Sequence, residues 1–220
     1  MSLKSIEKAR SNMVEQQVRP WQVEDARVLA LLAQIKREDF VPAAFKNLAF
    51  ADFAIPLGDG QHMLEPRIQA RLLQDAAVRP DDKVLEIGSG TGYMTALLAQ
   101  QAAQVIGFEI NPGLASRARQ CLQQAGIGNA EVRAGDGCAG APEDAPFDVI
   151  VLGGSVQSVP QQLLDQLKVG GRLVAIVGSE PIMHAQTISR SAADAFTVKE
   201  AWDDNAPALE NFPTQPNFKF

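Results

Sequence analysis

The 220-residue chain has little that could bind a metal: two cysteines, Cys121 and Cys138, and two histidines, His62 and His184. No Cys-x-x-Cys pair occurs and these residues form no cluster in sequence, so no metal site is expected. Nowhere does an apolar run approach the length of a membrane span, and residues 1–10 carry charges throughout with no apolar stretch of a secretory signal. A cytoplasmic protein is expected. A basic block is missing too: 20 Lys and Arg stand against 26 Asp and Glu, a formal net charge of −6, which leaves no footprint for nucleic acid. There is also no G-x-x-x-x-G-K-[ST] loop to cradle a triphosphate, which argues against ATP. What remains is a chain of ordinary apolar content, long enough for one domain with a sizeable core. Residues 67–220 are expected to form that core, and residues 1–66 an N-terminal helical cover and lid segment.

The most informative stretch begins at Val84. Val84, Leu85, Glu86 and Ile87 form a strand-length apolar run that includes an acid; Gly88, Gly90 and Gly92 alternate with Ser89, Thr91 and Tyr93; residues 94–103 are rich in Ala and Leu at helical spacing. Strand, glycine loop and helix follow one another. Glycines here let the backbone turn tightly and lie directly against a ligand at a helix N-terminus. A dinucleotide fingerprint, G-x-G-x-x-G, would need a glycine where Tyr93 stands, which argues against NAD. The Glu-x-Gly-x-Gly-x-Gly pattern instead resembles the first motif of the S-adenosylmethionine (SAM) dependent methyltransferases, placing Glu86, Gly88, Ser89, Gly90, Thr91 and Gly92 at the cofactor. A second strand, 105–109, ends in Glu109 beside Ile110, where a carboxylate can accept both hydroxyls of a ribose. Asn111 opens the next helix, and a third strand, 130–134, leads into Gly135, Asp136 and Gly137, a place where methyltransferases commonly hold the adenine. Three successive strand ends thus converge on one cofactor, SAM, in an α/β, Rossmann-like, doubly wound and mostly parallel sheet with an N-terminal helical extension.

Outside this nucleus, residues 5–17 are helix-compatible up to Pro20, and residues 24–35 form a second helix with Asp25 in its first turn and Val28, Leu29, Leu31, Leu32 and Ile35 on one face. Residues 36–59 are apolar but broken, suiting a loop-rich cover, and the glycine-rich 58–66 segment is placed to close over the cofactor. Residues 67–77 are a helix leading into the Glu86 strand. Further strands are expected over 147–152, ending in the small Gly153, Gly154 and Ser155, and over 172–177. An amphipathic helix is expected over 160–167 with Lys168 to Gly171 as its cap, and 187–189 with 196–202 as a closing antiparallel pair. The tail from Asn211 reads as a packed irregular end.

Several of these stretches, in order and spacing, are similar to the protein-L-isoaspartate O-methyltransferase family: Met13-Val14-Glu15-Gln16-Gln17-Val18, Asp25-Ala26-Arg27-Val28-Leu29, Phe40-Val41-Pro42, Ile55-Pro56-Leu57-Gly58, Gly60-Gln61, the Glu86 loop, Gly135-Asp136-Gly137 and Gly170-Gly171-Arg172-Leu173-Val174. The resemblance covers most of the chain to about residue 178. It implies a SAM-bound Rossmann-like domain that methylates the carboxylate of altered aspartyl residues in peptides or proteins, with Gln61, His62, Met63 and Leu64 at the acceptor. Family members usually carry Thr-Ile-Ser after the Gly-Gln, and this chain has His62-Met63-Leu64, so leucine stands at the serine of the methyl-transfer site. Two alternatives follow. One is a SAM-dependent methyltransferase of a small-molecule acceptor; the other is a SAM-binding protein without turnover. His62 either replaces the lost donor or is a surface loop histidine.

Overall fold

The computed structural model describes residues 3–214. The chain opens with helix α1, Leu3–Asn12, which widens into a π-helical stretch, Met13–Val18, and tightens into a 3₁₀ turn, Arg19–Trp21. Gln22 in the left-handed region (φ 62°) ends the run just after Pro20. Helix α2, Ala26–Gln34, buries Val28, Leu29 and Leu32. Asp25 lies at the N-cap rather than in the first turn: its side chain accepts from the Arg27 N–H at 2.8 Å, satisfying one of the helix's free donors.

Residues 36–63 are more ordered than their composition suggests. Two 3₁₀ segments, Arg37–Asp39 and Ala43–Leu48, lead into a two-stranded hairpin, β1 Ile55–Gly58 and β2 Gln61–Met63, that turns through Asp59 and Gly60. Helix α3, Pro66–Ala76, follows, with Pro66 at its first position, where a missing N–H costs nothing. The alternating core comes next: β3 Lys83–Ile87, α4 Tyr93–Ala99, β4 Gln104–Glu109, α5 Pro112–Gln124, β5 Ala130–Ala134 and β6 Phe147–Val156. Asn111 caps α5 by accepting from the Gly113 and Leu114 N–H groups. The remaining elements are α6 Gln161–Leu164, β7 Leu167–Ser179, β8 Ile182–Ala192 and β9 Ala195–Asp203.

The main sheet has the order β5-β4-β3-β6-β7-β8-β9, parallel from β5 to β7 and antiparallel for the last two. The chain steps from β3 outward to β4 and β5, then crosses back to β6 on the other side of β3. That reversal opens a crevice at the carboxyl ends of β3, β4 and β6, where ligands of such sheets bind. Strand side chains alternate between two cores: Val84, Val105, Val149, Val151 and Val174 face the helices α3 to α5 and the N-terminal segment, including Met13, Val18 and Phe40. Leu85, Ile87, Ile106, Ile150 and Leu173 face the opposite side with Leu163 of α6.

Two expectations fail between residues 160 and 171. The helix of 160–167 shrinks to the single turn α6, and Lys168 to Gly171 do not cap it but belong to β7. Pairing overrides the local glycine signal: Leu167 lies opposite Phe147 and Arg172 opposite Val149, so the intervening residues bulge over the β6 backbone. An added Cβ at Gly171 would meet the Phe147 and Asp148 carbonyl oxygens at 3.0 Å, which explains glycine there. The closing antiparallel pair is longer than expected, with Thr187 opposite Lys199.

Candidate active site

Glu86, next to last in the core strand β3, is fully buried. Its Oε2 accepts from Ser89 Oγ at 3.0 Å and from Thr95 Oγ1, while Oε1 has no partner among the described residues. Burial raises its pKa to about 7, against the pull of the Thr95 and Ser89 hydroxyls. Glu86 therefore supports the glycine loop from beneath and anchors α4 to it. The loop is fixed from the other side by Phe108, whose carbonyl accepts from both the Gly88 and Ser89 N–H groups at 2.8 and 3.1 Å.

A carboxyl held neutral in the fold carries a pH signature. Unfolded, Glu86 ionises near its ordinary 4.5; folded, it keeps its proton to about 7. Its stability contribution is thus fully present below the lower value and declines as pH rises toward the upper one. Glu86→Gln is expected to gain on the wild type by about 2 kcal/mol between pH 5 and pH 8, each pKa unit being worth about 1.4 kcal/mol. Urea unfolding of both proteins at the two pH values checks it, and parallel profiles would refute it.

Two cavities lie above the carboxyl ends of the strands, and both are lined by Gly88. The first, about 340 Å³ with its mouth, is lined by Glu109, Ile110, Gly135, Asp136, Gly137 and Gln61, together with Ile87, Phe108, Leu209, Glu210 and Phe212. No Lys, Arg or His is among its lining residues. Glu109 is 3% exposed, and its two oxygens accept from the Gly90 N–H at 2.7 Å and the Asn111 N–H at 2.9 Å. Burial pushes its pKa up and Glu210 adds to that, while the Asn111 and Gly90 N–H groups oppose the shift. Each oxygen retains a lone pair, so this carboxylate is oriented by backbone and can still accept from a ligand hydroxyl.

The second cavity, about 350 Å³ with its mouth, takes Ser89, Gly90 and Thr91 of the loop and His62, Met63 and Leu64 of the hairpin, closed by Gln69, Tyr93, Met94 and Gly153. Thr91 Oγ1 is buried with no partner among the described residues, leaving a donor and acceptor for a ligand. His62 is exposed, whereas Met63 and Leu64 are buried. Behind them Arg37, fully buried, donates from Nε to Ala49 O at 2.9 Å, from Nη2 to Leu64 O at 2.7 Å and from Nη1 to Gln69 Oε1. Its guanidinium lies 5.1 Å from the Tyr93 ring centroid. Burial lowers its pKa to about 10, which still leaves it charged at neutral pH. Arg37 thus holds the backbone at Leu64 and the Gln69 side chain in one arrangement.

Of the sequence-derived site residues, all but two therefore line these cavities. Glu86 lies below the loop, and Gly92 turns away toward α5, where an added Cβ would sit 3.2 Å from Ala118 Cβ. Gly153 borders the second cavity because its missing Cβ would collide with the Gly88 carbonyl oxygen. The wall formed by Leu209, Glu210 and Phe212 has no motif in the sequence. Phe212 is buried, in keeping with a packed end, and residues 215–220 lie outside the described residues. Among the described residues no group of three or more His, Cys, Asp or Glu is placed to hold a metal ion, and no helix is long and apolar enough to cross a membrane.

A crevice at the switch point of a parallel sheet, bordered by a glycine loop and two strand-end carboxylates, defines a nucleoside-cofactor enzyme of Rossmann-like form. Residues 8–203 match the sequence profile of the protein-L-isoaspartate(D-aspartate) O-methyltransferase family. The chain belongs to this family, whose members are SAM-dependent methyltransferases. It is 46% identical to the protein-L-isoaspartate O-methyltransferase of Methanoculleus marisnigri over 77% of each chain. To that of Gloeobacter violaceus it is 44% identical, over 76% of this chain and 82% of the relative. Solved structures share the fold. A Plasmodium falciparum protein assigned to the same enzymes and solved with S-adenosyl-L-homocysteine superposes with a TM-score of 0.77 at 18% identity, covering 91% of this chain and 98% of its own. Another protein-L-isoaspartate O-methyltransferase gives 0.76 at 21% identity, covering 94% of this chain and 66% of that longer one.

Proposed function

We propose that the chain transfers the methyl group of SAM to the carboxylate of isoaspartyl residues in peptides or proteins. The observation that carries this is the meeting of the two cavities at Gly88. One presents a hydroxyl-accepting carboxylate, and the other is framed by the family's acceptor segment. In this arrangement Glu109 takes the ribose hydroxyls, Asp136 and its flanking glycines border the base, and the Gly88 to Thr91 loop faces the methionine portion. Gln61, His62, Met63 and Leu64 face the acceptor.

The cofactor supplies an activated methyl group on a sulfonium. The acceptor carboxylate is already ionised at neutral pH, so no side chain need remove a proton, and the protein's contribution is alignment of donor and acceptor. Charge is annihilated as the methyl group passes between them, which favours the closed, poorly hydrated space that Met63, Leu64 and Met94 provide. A cytoplasmic location is consistent with such a substrate.

Leu64 favours a second acceptor class, because leucine can neither donate to nor accept from a carboxylate. The two separate in one experiment: methyl transfer from labelled SAM to an isoaspartyl peptide beside its ordinary aspartyl twin, with wild type and Leu64→Ser. For the isoaspartyl acceptor, the wild type labels only the isoaspartyl peptide, and Leu64→Ser raises kcat/KM roughly tenfold, the worth of one hydrogen bond to a charged group. If SAM binds while both proteins leave the peptide unlabelled, the acceptor is a small molecule with an apolar group against Met63 and Leu64.

A further inference from the structure

The first cavity has a wall that no motif announces. After β9 the chain turns back over the carboxyl end of β6, where Ser155 donates its N–H to Pro207 O at 2.8 Å and accepts the Leu209 N–H on its own carbonyl at 2.8 Å. Its Oγ donates to Ala206 O at 2.7 Å. This short parallel bridge places Leu209 against the glycine loop, 2.7 Å from where a Cβ on Gly88 would lie. Two polar ties then cross the cavity. Asn211 Nδ2 donates to Asp136 Oδ2 at 2.9 Å, and Gln61 Nε2 donates to Glu210 Oε1. These residues lie beyond the 8–203 span matched by the family profile.

Gln61 is the first residue of β2, and its three successors line the other cavity. The contact from Glu210 to Gln61 therefore joins a strap over one cavity to the hairpin over the other. The segment is fastened at its base by three hydrogen bonds to Ser155 and at its far end by buried Phe212, while Glu210 itself is exposed.

We propose that residues 206–212 are a wall of the cofactor site and that Glu210 is a positioning residue, acting through Gln61 to hold the wall and the hairpin together around the bound cofactor. This rests on the cofactor assignment above but is independent of the acceptor. Filling the first cavity leaves Glu210 and Gln61 at its rim, and the latch between them slows the cofactor's escape. The acceptor chemistry does not involve Glu210, so its loss affects cofactor capture and not the methyl-transfer step.

The test uses the full chain, with S-adenosyl-L-homocysteine as probe in calorimetry and SAM in steady-state kinetics. Glu210→Ala is expected to weaken S-adenosyl-L-homocysteine binding and raise KM for SAM about tenfold, with kcat at saturating SAM within twofold and the melting temperature unchanged. Glu210→Gln keeps an oxygen for Gln61 Nε2 and is expected to restore both constants to within threefold of wild type. In the wild type, S-adenosyl-L-homocysteine should slow amide exchange at Ser155 and Leu209. Wild-type affinity in Glu210→Ala overturns the proposal, and failure of glutamine to rescue overturns the latch to Gln61. If the wild type takes up no S-adenosyl-L-homocysteine at all, the cofactor assignment falls and carries the proposal with it. Binding by the wild type with no change in the variant removes only the strap.

Discussion

Glu109→Ala is expected to weaken S-adenosyl-L-homocysteine binding at least a hundredfold. The substitution removes two things at once. One is the carboxylate proposed to accept a pair of ligand hydroxyls, worth about 1.5–3 kcal/mol for bonds to a charged group. The other is the anchor of the glycine loop, since Glu109 holds the Gly90 N–H and the Asn111 N–H. Glutamine is no substitute, because its amide would turn a donor toward one of those N–H groups. Glu109→Gln should therefore fall close to alanine, which separates an orienting carboxylate from a simple space-filler. Calorimetric titration reads both, and an affinity within threefold of wild type in either variant would take Glu109 out of the site.

Arg37→Met is expected to destabilise the protein by about 4 kcal/mol, because it strips a buried network of its donor. Methionine matches the length of the stem, but Ala49 O, Leu64 O and Gln69 Oε1 each lose a partner, and a buried acceptor left unpaired costs about 1–3 kcal/mol. Removing a charge that burial disfavours offsets part of this. For a chain of this size the melting temperature should drop by roughly 10 °C. Arg37→Lys keeps the charge but only one point of donation, and it should recover little, since the guanidinium reaches three acceptors in different directions. A melting temperature within 2 °C of wild type for Arg37→Met would show that the network is dispensable.

The contrast between Glu109 and Arg37 shows what was legible in the sequence. Glu109 closes a strand-length apolar run and precedes a helix-capping Asn111, so its place at a strand end follows from local pattern. The same holds for β3, β4, β5 and the glycine loop, where apolar period, acid and glycine fall within a dozen residues. Arg37 sits in Arg37-Glu38-Asp39, which reads as solvated charge; its burial depends on partners 12 to 32 residues away. The hairpin of β1 and β2 was legible only as a glycine-rich cover, because strands of four and three residues are too short for alternation to register. Between residues 160 and 171 the local signals were misleading, since the glycine pair that resembles a helix stop is a bulge imposed by pairing with β6. The strap at 206–212 has no periodicity at all, and its position comes from Ser155, Gln61 and Asp136, all distant in sequence.

Every charged side chain on the first cavity, Glu109, Asp136 and Glu210, is an acid. An anion placed about 4 Å from one carboxylate at an effective dielectric near 20 meets roughly 4 kcal/mol of repulsion, enough to weaken binding several hundredfold. Adenine nucleotides are plentiful in cells and share their nucleoside with the cofactor, so shape alone would let them compete. Their phosphates, carried on the 5′ side of the ribose, would extend from Glu109 toward the Gly88 to Thr91 loop, and no Lys or Arg lines either cavity to balance them. The acidic first cavity thus disfavours anionic ligands near Glu109, and ATP is expected to compete only weakly with the cofactor.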